Sequence, residues 1–275
     1  MTRELQEKLE SYQRVWAEVD LDAIWENMVH MKENIAENTK ILAVIKTDGY
    51  GHGGVPIAKM LEQLDFMFGY AAATYEEAHV LREAGVKKPI LILGYTFPYC
   101  YEELIREEIR PAVYRRDTVE ELAAAAAKVG KKAKVHIKVD TGMGRIGITP
   151  DEEGLEFVRF LIEHPELEVE GIFTHFAKSD EADKTSANHQ LELFQNFIDK
   201  KYFSTMLAAL KIILCFIINF YHYEERSTKT FGFDDKNRSF KIQAEKFVSD
   251  SGRASSEHGL IQRLQQDRFC PLPQR

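Results

Sequence analysis

The sequence is poor in cysteine, with three among 275 residues, at Cys100, Cys215 and Cys270. No pair has CxxC spacing, so neither a disulfide framework nor a zinc site is indicated, and the usage fits a reducing cytosol. Positive charge is in deficit: 36 Lys+Arg against 44 Asp+Glu leave a net charge of -8, which argues against a nucleic-acid partner. The N-terminal stretch MTRELQEKLESYQRVWAEVD lacks the apolar core of a signal peptide. Long apolar runs are limited to YFSTMLAALKIILCFIINFY (202–221). It has the length of a membrane span, but Lys211 near its centre is costly in a bilayer, so burial within protein is the expectation and a membrane partner is not.

The remaining composition, 44% hydrophobic and 29% charged, is that of a globular protein of one large or two modest domains. It conceals a split. Residues 201–275 hold 12 Lys+Arg and 8 Asp+Glu, net +4, while residues 1–200 hold 24 and 36, net -12. The first part alternates strand and helix patterns. Strands are predicted at KILAVIK (40–46), FMFGYAA (66–72), KPILILG (88–94), IRPAVY, AKVHIKVD (133–140) and LEVEGIFTHF (167–176), with IRPAVY weakened by Pro111. Helices are predicted between them. Thr74 and Gly85 bracket TYEEAHVLREAG, with Glu77 three residues after the cap, and Asp117 or Thr118 opens DTVEELAAAAAKVG. About six βα units imply a parallel sheet with right-handed crossovers. The pattern admits either a (β/α)8 barrel or an open doubly wound sheet. Beyond residue 200 the rhythm stops, and an irregular, mainly helical or coil tail is expected, with a short strand at SFKIQ and a helix at EHGLIQRLQQ.

Candidate chemical groups fall at the ends of the predicted strands, where ligands bind in either architecture. Lys46 closes the first, Lys138 and Asp140 lie on the fifth, Arg145 follows it in KVDTGMGRIGI, and His175 closes the sixth. Taken singly, such a lysine snorkels to solvent, such an arginine pairs with an acid such as Asp140, and such a histidine is a satisfied core residue. Converging on one edge, they point to a site. A desolvated lysine amine is a nucleophile able to form a Schiff base with an aldehyde, including pyridoxal phosphate (PLP). The glycine-rich DGYGHGG that follows lets backbone amides approach an anion, and Tyr50 and His52 offer polar contacts.

AVIKTDGYGHG, VHIKVDTGMGRIGI, VEGIFTHFAKSDE and the opening WAEVDLDAIWENM resemble, in order and spacing, signature segments of the bacterial alanine racemases across roughly residues 12–200. The resemblance implies a PLP-binding (β/α)8 barrel followed by a β-rich domain, assembled as a head-to-tail homodimer in the cytoplasm. It implies that Lys46 holds PLP and acts as one catalytic base, and that Tyr50 contacts the cofactor phosphate. By the same resemblance Arg145 hydrogen-bonds the phenolic oxygen of PLP, His175 lies beside the ring, and Leu93 lines the pocket. Lys138 falls on a lysine often carbamylated in the family, whose carboxylate orients that arginine. The implied reaction interconverts L- and D-alanine for peptidoglycan precursors. Serine or another small amino acid is the alternative substrate, and a non-catalytic PLP-binding remnant the alternative role.

The resemblance stops near residue 200. The family's Asn-Ser and Arg-x-Gly-Ile phosphate-site segments and its β domain, with the opposite-face tyrosine, have no counterpart in residues 201–275. The expected organisation is therefore a partial barrel over residues 1–200 and an unassigned divergent tail over 201–275. An incomplete barrel predicts little or no racemase activity for the 275-residue chain. The abrupt change near residue 200 suggests a derailed reading frame or truncation, with a lineage-specific tail as the structural alternative.

Overall fold

The structure is a computed structural model and describes residues 15–179, 181–199, 211–215, 240–244 and 261–264. It divides into two compact units, Met1–Thr39 with Gly51–Gly53 and Phe220–Arg275, and Lys40–Tyr50 with Gly54–Asn219. The first described elements are β1 (Val15–Asp20) and α1 (Leu21–Glu33). Asp20 caps α1 by accepting from the Ala23 amide at 3.0 Å, satisfying one of the orphan donors of the first turn. Leu21, Ile24 and Met28 recur at helical spacing and are buried.

The second unit carries β2 (Ile41–Val44), β3 (Met67–Ala72), β4 (Ile90–Ile92), β5 (Ile109–Val113), β6 (Ala133–Lys138), β7 (Leu167–His175) and β8 (Lys211–Cys215). Between them run α2 (Gly54–Leu61), α3 (Tyr75–Glu83), α4 (Tyr101–Arg106), α5 (Arg116–Val129), α6 (Glu152–Ile162) and α7 (Thr185–Ile198). The strands are parallel and pair strictly in chain order, β2 to β8. A doubly wound sheet reverses its order at a switch point, whereas each crossover here steps to the next strand in one direction. The sheet is an incomplete TIM-type barrel, and β2 to β7 are the six strands predicted from the apolar runs. Their residues are buried on both faces, as a helix-covered parallel sheet requires. Gly69 lets β3 and β4 approach closely, since a Cβ there would lie 2.1 Å from the Pro89 carbonyl oxygen.

Several expectations change in detail. Pro111 does not demote its strand: all of β5 is buried, and registered pairing with β6 is confined to Ala112 and Val113, where the missing proline donor does no harm. Neither Asp117 nor Thr118 caps α5. The helix begins at Arg116 after Arg115, because Asp117 is already engaged by the Arg115 guanidinium and the Thr118 amide. The tail beyond residue 200 is strand wherever it is described. Lys211–Cys215, within the long apolar run, is β8, with Cys215 opposite His175; the flanking parts of that run lie outside the described residues. β9 (Phe240–Ala244) overlaps the strand expected at SFKIQ. Residues expected as a helix instead form β10 (Ile261–Leu264). Both pair antiparallel with β1, giving the order β10-β1-β9 in the first unit. Pairing to one shared strand overrides the weak helical spacing of LIQRLQQ. Among the described residues no helix is long and apolar enough to cross a membrane.

The sheet encloses a buried charged cluster. Between the pairs Val135–Val169 and His136–Gly171, β7 contains one residue more than β6, and that bulged residue is Glu170. Its carboxylate accepts from Arg110 Nε at 3.0 Å and Nη2 at 3.4 Å and lies 3.0 Å from His136 Nε2. All three residues are buried. Burial raises the Glu170 pKa, but hydrogen bonds from His136 and Arg110 overcome it and hold the acid far below the usual carboxylate range. The folded pKa being depressed, this contribution to stability is full above the ordinary glutamate pKa and is lost progressively below it, as the pH falls towards and through the depressed folded value. Glu170→Ala, which leaves Arg110 buried without its carboxylate, is expected to lower folding stability by about 3–5 kcal/mol, measured by urea denaturation at neutral pH.

Candidate active site

Lys46 follows β2 directly after the buried Ile45 and is half-buried. Its Nζ lies 5.8 Å from the centroid of the Tyr50 ring, within reach of a cation–π attraction. The chain between them makes a left-handed turn, with Thr47 at φ 52°, Asp48 at 52°, Gly49 at 63° and Tyr50 at 56°. Only Gly49 adopts this region without a Cβ penalty; each other residue costs about 1–2 kcal/mol there. The turn is therefore not a flexible glycine linker. It is closed by Gly49 N–H donating to the Ile45 carbonyl at 2.8 Å, by Gly54 N–H donating to Asp48 Oδ1 at 2.7 Å, and by Thr47 N–H donating to Glu77 Oε1 at 2.8 Å. Asp48 thereby gains a role as the ligand of the first amide of α2. His52 is buried. Tyr50 and Leu93 both pack on the apolar cluster of Val44, Ala71, Leu91, Ala112 and Phe173.

Lys138 ends β6, pairs in register with Phe173, and is 2% exposed. Its Nζ donates to the Val139 carbonyl at 2.6 Å and lies 5.7 Å from the Phe173 ring centroid. The loop that follows is tied at its neck, with Asp140 N–H donating to the Ile148 carbonyl and Ile148 N–H to the Lys138 carbonyl. The Asp140 carboxylate accepts from the amides of Gly142 (3.0 Å), Gly144 (3.0 Å) and Arg145 (3.1 Å). Burial raises its pKa, but those amides together with the charge of Lys138 hold it below the usual range. Asp140 thus orders the backbone at Arg145. The Arg145 side chain is exposed and helps line a cleft of about 420 Å³ with Tyr95, Tyr114, Arg115, Ile146 and Gly147.

His175 ends β7. Burial and then the positive charges of Arg145, Lys138 and Lys46 push its pKa down to about 4, so the imidazole is neutral at neutral pH. Its Nδ1 is buried without a hydrogen-bond partner, as a group awaiting a ligand would be. Three cations around a neutral, unsatisfied imidazole at the carboxyl ends of parallel strands suit an anionic ligand, and they fit PLP. Lys46 would bond its aldehyde, while Tyr50, Arg145 and His175 would contact it. Among the described residues no His, Cys, Asp and Glu cluster could hold a metal.

Two supports were not anticipated from the sequence. Glu77 is one. The other is Gln190 of α7, whose Nε2 donates to Thr141 Oγ1 (3.2 Å) and the His175 carbonyl (3.3 Å), while its Oε1 accepts from Ala177 N–H (2.9 Å). It joins the Arg145 loop to the His175 strand end. A glutamine at helical spacing with the buried Phe194 and Phe197 was the available signal.

The profile of the family described as alanine racemase, N-terminal domain, matches residues 19–209. Among curated proteins, the alanine racemase of Clostridium perfringens is 47% identical over 183 residues, 66% of this chain and 47% of that one. Alanine racemase 1 of Oceanobacillus iheyensis is 42% identical over 194 residues, 70% and 51% of the two chains. Among solved structures, the alanine racemase of Clostridium difficile 630 superposes with a TM-score of 0.69 at 36% identity, covering 73% of this chain and 52% of that one. That of Bacillus anthracis with bound L-Ala-P gives 0.64 at 35%, over 73% and 52%. The chain spans about half the length of the curated relatives it matches. For His175, NMR titration of the imidazole is expected to show a midpoint near 4 instead of the ordinary 6.5. Because the unfolded chain takes up that proton first, stability falls as the pH drops from about 6.5 towards 4. His175→Gln is expected to flatten this part of a urea-midpoint profile.

Proposed function

Because the chain belongs to the alanine racemase family, we propose that it carries the lysine half of a PLP-dependent racemase site, with a small amino acid, alanine, as substrate. The observation that carries this reading is the convergence of Lys46, Lys138 and Arg145 on His175, whose Nδ1 is buried without a hydrogen-bond partner. In this reading PLP, when bound, supplies the electron sink for charge left at the substrate Cα. Lys46 would bond the cofactor aldehyde with loss of water; once the substrate amine has taken its place, the freed Lys46 amine would take and return the Cα proton on one face. Tyr50 would contact the phosphate, Arg145 the phenolic oxygen and His175 the ring. Leu93 presents an apolar wall. Lys138 is a candidate for carbamylation, in which its neutral amine adds carbon dioxide and releases a proton. The carboxylate formed would face Arg145.

Residues 1–200 form the PLP-binding portion in this reading, and residues 201–275 a separate tail. The setting is cytoplasmic, and a homodimer is the assembly expected from the family. Residues 1–275 by themselves are expected to bind PLP yet turn over little or no alanine, since their match to the family ends at residue 209.

Addition of PLP is expected to give the yellow absorbance of an amine-linked cofactor, abolished by Lys46→Ala, with D-alanine formation near background by chiral chromatography. Rapid Lys46-dependent racemisation would overturn the expectation of inactivity, and absence of the band would overturn PLP binding. With 13C-bicarbonate, a carbamate carbon resonance is expected that Lys138→Ala removes.

A further inference from the structure

Glu77 is the third residue of α3 behind the cap Thr74, the position from which a glutamate ordinarily reaches back to the cap's own amide. Thr74 keeps its half of that exchange, its Oγ1 accepting from Glu77 N–H at 3.5 Å. The carboxylate is turned elsewhere. Its Oε1 accepts from Thr47 N–H and its Oε2 from Ala73 N–H, each at 2.8 Å. One side chain therefore bridges the carboxyl ends of the neighbouring strands β2 and β3.

The Thr47 N–H belongs to the peptide plane that joins Lys46 to Thr47, and so its direction fixes ψ of Lys46. On the other side, Ile45 N–H donates to the Ala71 carbonyl at 2.9 Å. The lysine backbone is thus held before and after the side chain leaves it. Thr47 is β-branched and sits at φ 52°, where such residues are outliers. The two other bonds closing the turn run from Gly49 and Gly54 to residues within the turn or beside it. Glu77 contributes the hold from a different βα unit.

We propose that Glu77 is a positioning residue for Lys46: its carboxylate clamps the left-handed turn so that the lysine amine is aimed at the sheet mouth. This rests on the reading of Lys46 as the PLP-bonding amine. The ordinary alternative is that Glu77 only helps to start α3. Thr74→Ala separates the two, because it removes the helix cap without touching the Thr47 amide.

In the 275-residue chain, Glu77→Gln is expected to weaken PLP binding, read from the Lys46-dependent absorbance, about tenfold, the scale of one lost charge-assisted hydrogen bond. It is also expected to speed hydrogen exchange of the Thr47 amide. Glu77→Asp, which keeps the charge but shortens the span, is expected to behave alike. Thr74→Ala is expected to lower the melting temperature while leaving PLP affinity and Thr47 exchange unchanged. Equal effects of Thr74→Ala and Glu77→Gln on those two readouts would overturn the proposal, as would unchanged Thr47 exchange in Glu77→Gln. If the unsubstituted chain gives no Lys46-dependent absorbance, the PLP reading fails, and the Thr47 exchange comparison still decides whether the clamp exists.

Discussion

Lys46, Lys138 and Arg145 act together on one imidazole: burial, the larger cause, and then their repulsion of a fourth positive charge keep His175 neutral. Gathering like charges at the end of a buried sheet is unfavourable unless the backbone gives them no alternative. Each is fixed differently. Lys46 is delivered by a strand and a left-handed turn, Lys138 by a buried strand position that sets its Nζ over the Phe173 ring, and Arg145 by a loop wound around the Asp140 carboxylate. The strictly sequential order of the parallel strands brings the three to one edge. The site is thus a product of backbone constraints, in which the charges are held where an anion would relieve them.

Much of the scaffold was legible because its causes are local. The apolar runs from KILAVIK to LEVEGIFTHF marked β2 to β7, and Thr74 and Gly85 showed as helix ends because capping chemistry acts within a few residues. The lysine, arginine and histidine at the mouth were legible for the same reason, each closing or following a recognisable strand. The choice between barrel and open sheet was not in the pattern. It is set by which strand each crossover reaches, a long-range property.

The hidden parts share that character. Glu77 reads as an ordinary third helix residue, yet its partner lies 30 residues earlier. Arg110 and Glu170 are separated by 60 residues, and each alone looks like a charge that belongs outside. The turn after Lys46 misleads in the other direction. Its glycines suggest freedom, but Thr47, Asp48 and Tyr50 share the left-handed conformation, and bonds accepted by Ile45, Asp48 and Glu77 hold it. Residues 261–264 show that a helical spacing in a short polar segment yields to an available strand partner.

The bulge in β7 has a consequence for how this strand can vary. Because Glu170 is the supernumerary residue, Val169 and Gly171 already oppose consecutive residues of β6. Loss of Glu170 would straighten the ladder without moving Phe173 or His175 to another partner. The strand is in this sense two segments joined by a spacer. Its lower part is tied to Arg110 and His136 through the Glu170 charge, while the upper part is aligned with Lys138 by the ladder, so the packing of the interior and the alignment at the mouth are set by different contacts within nine consecutive residues.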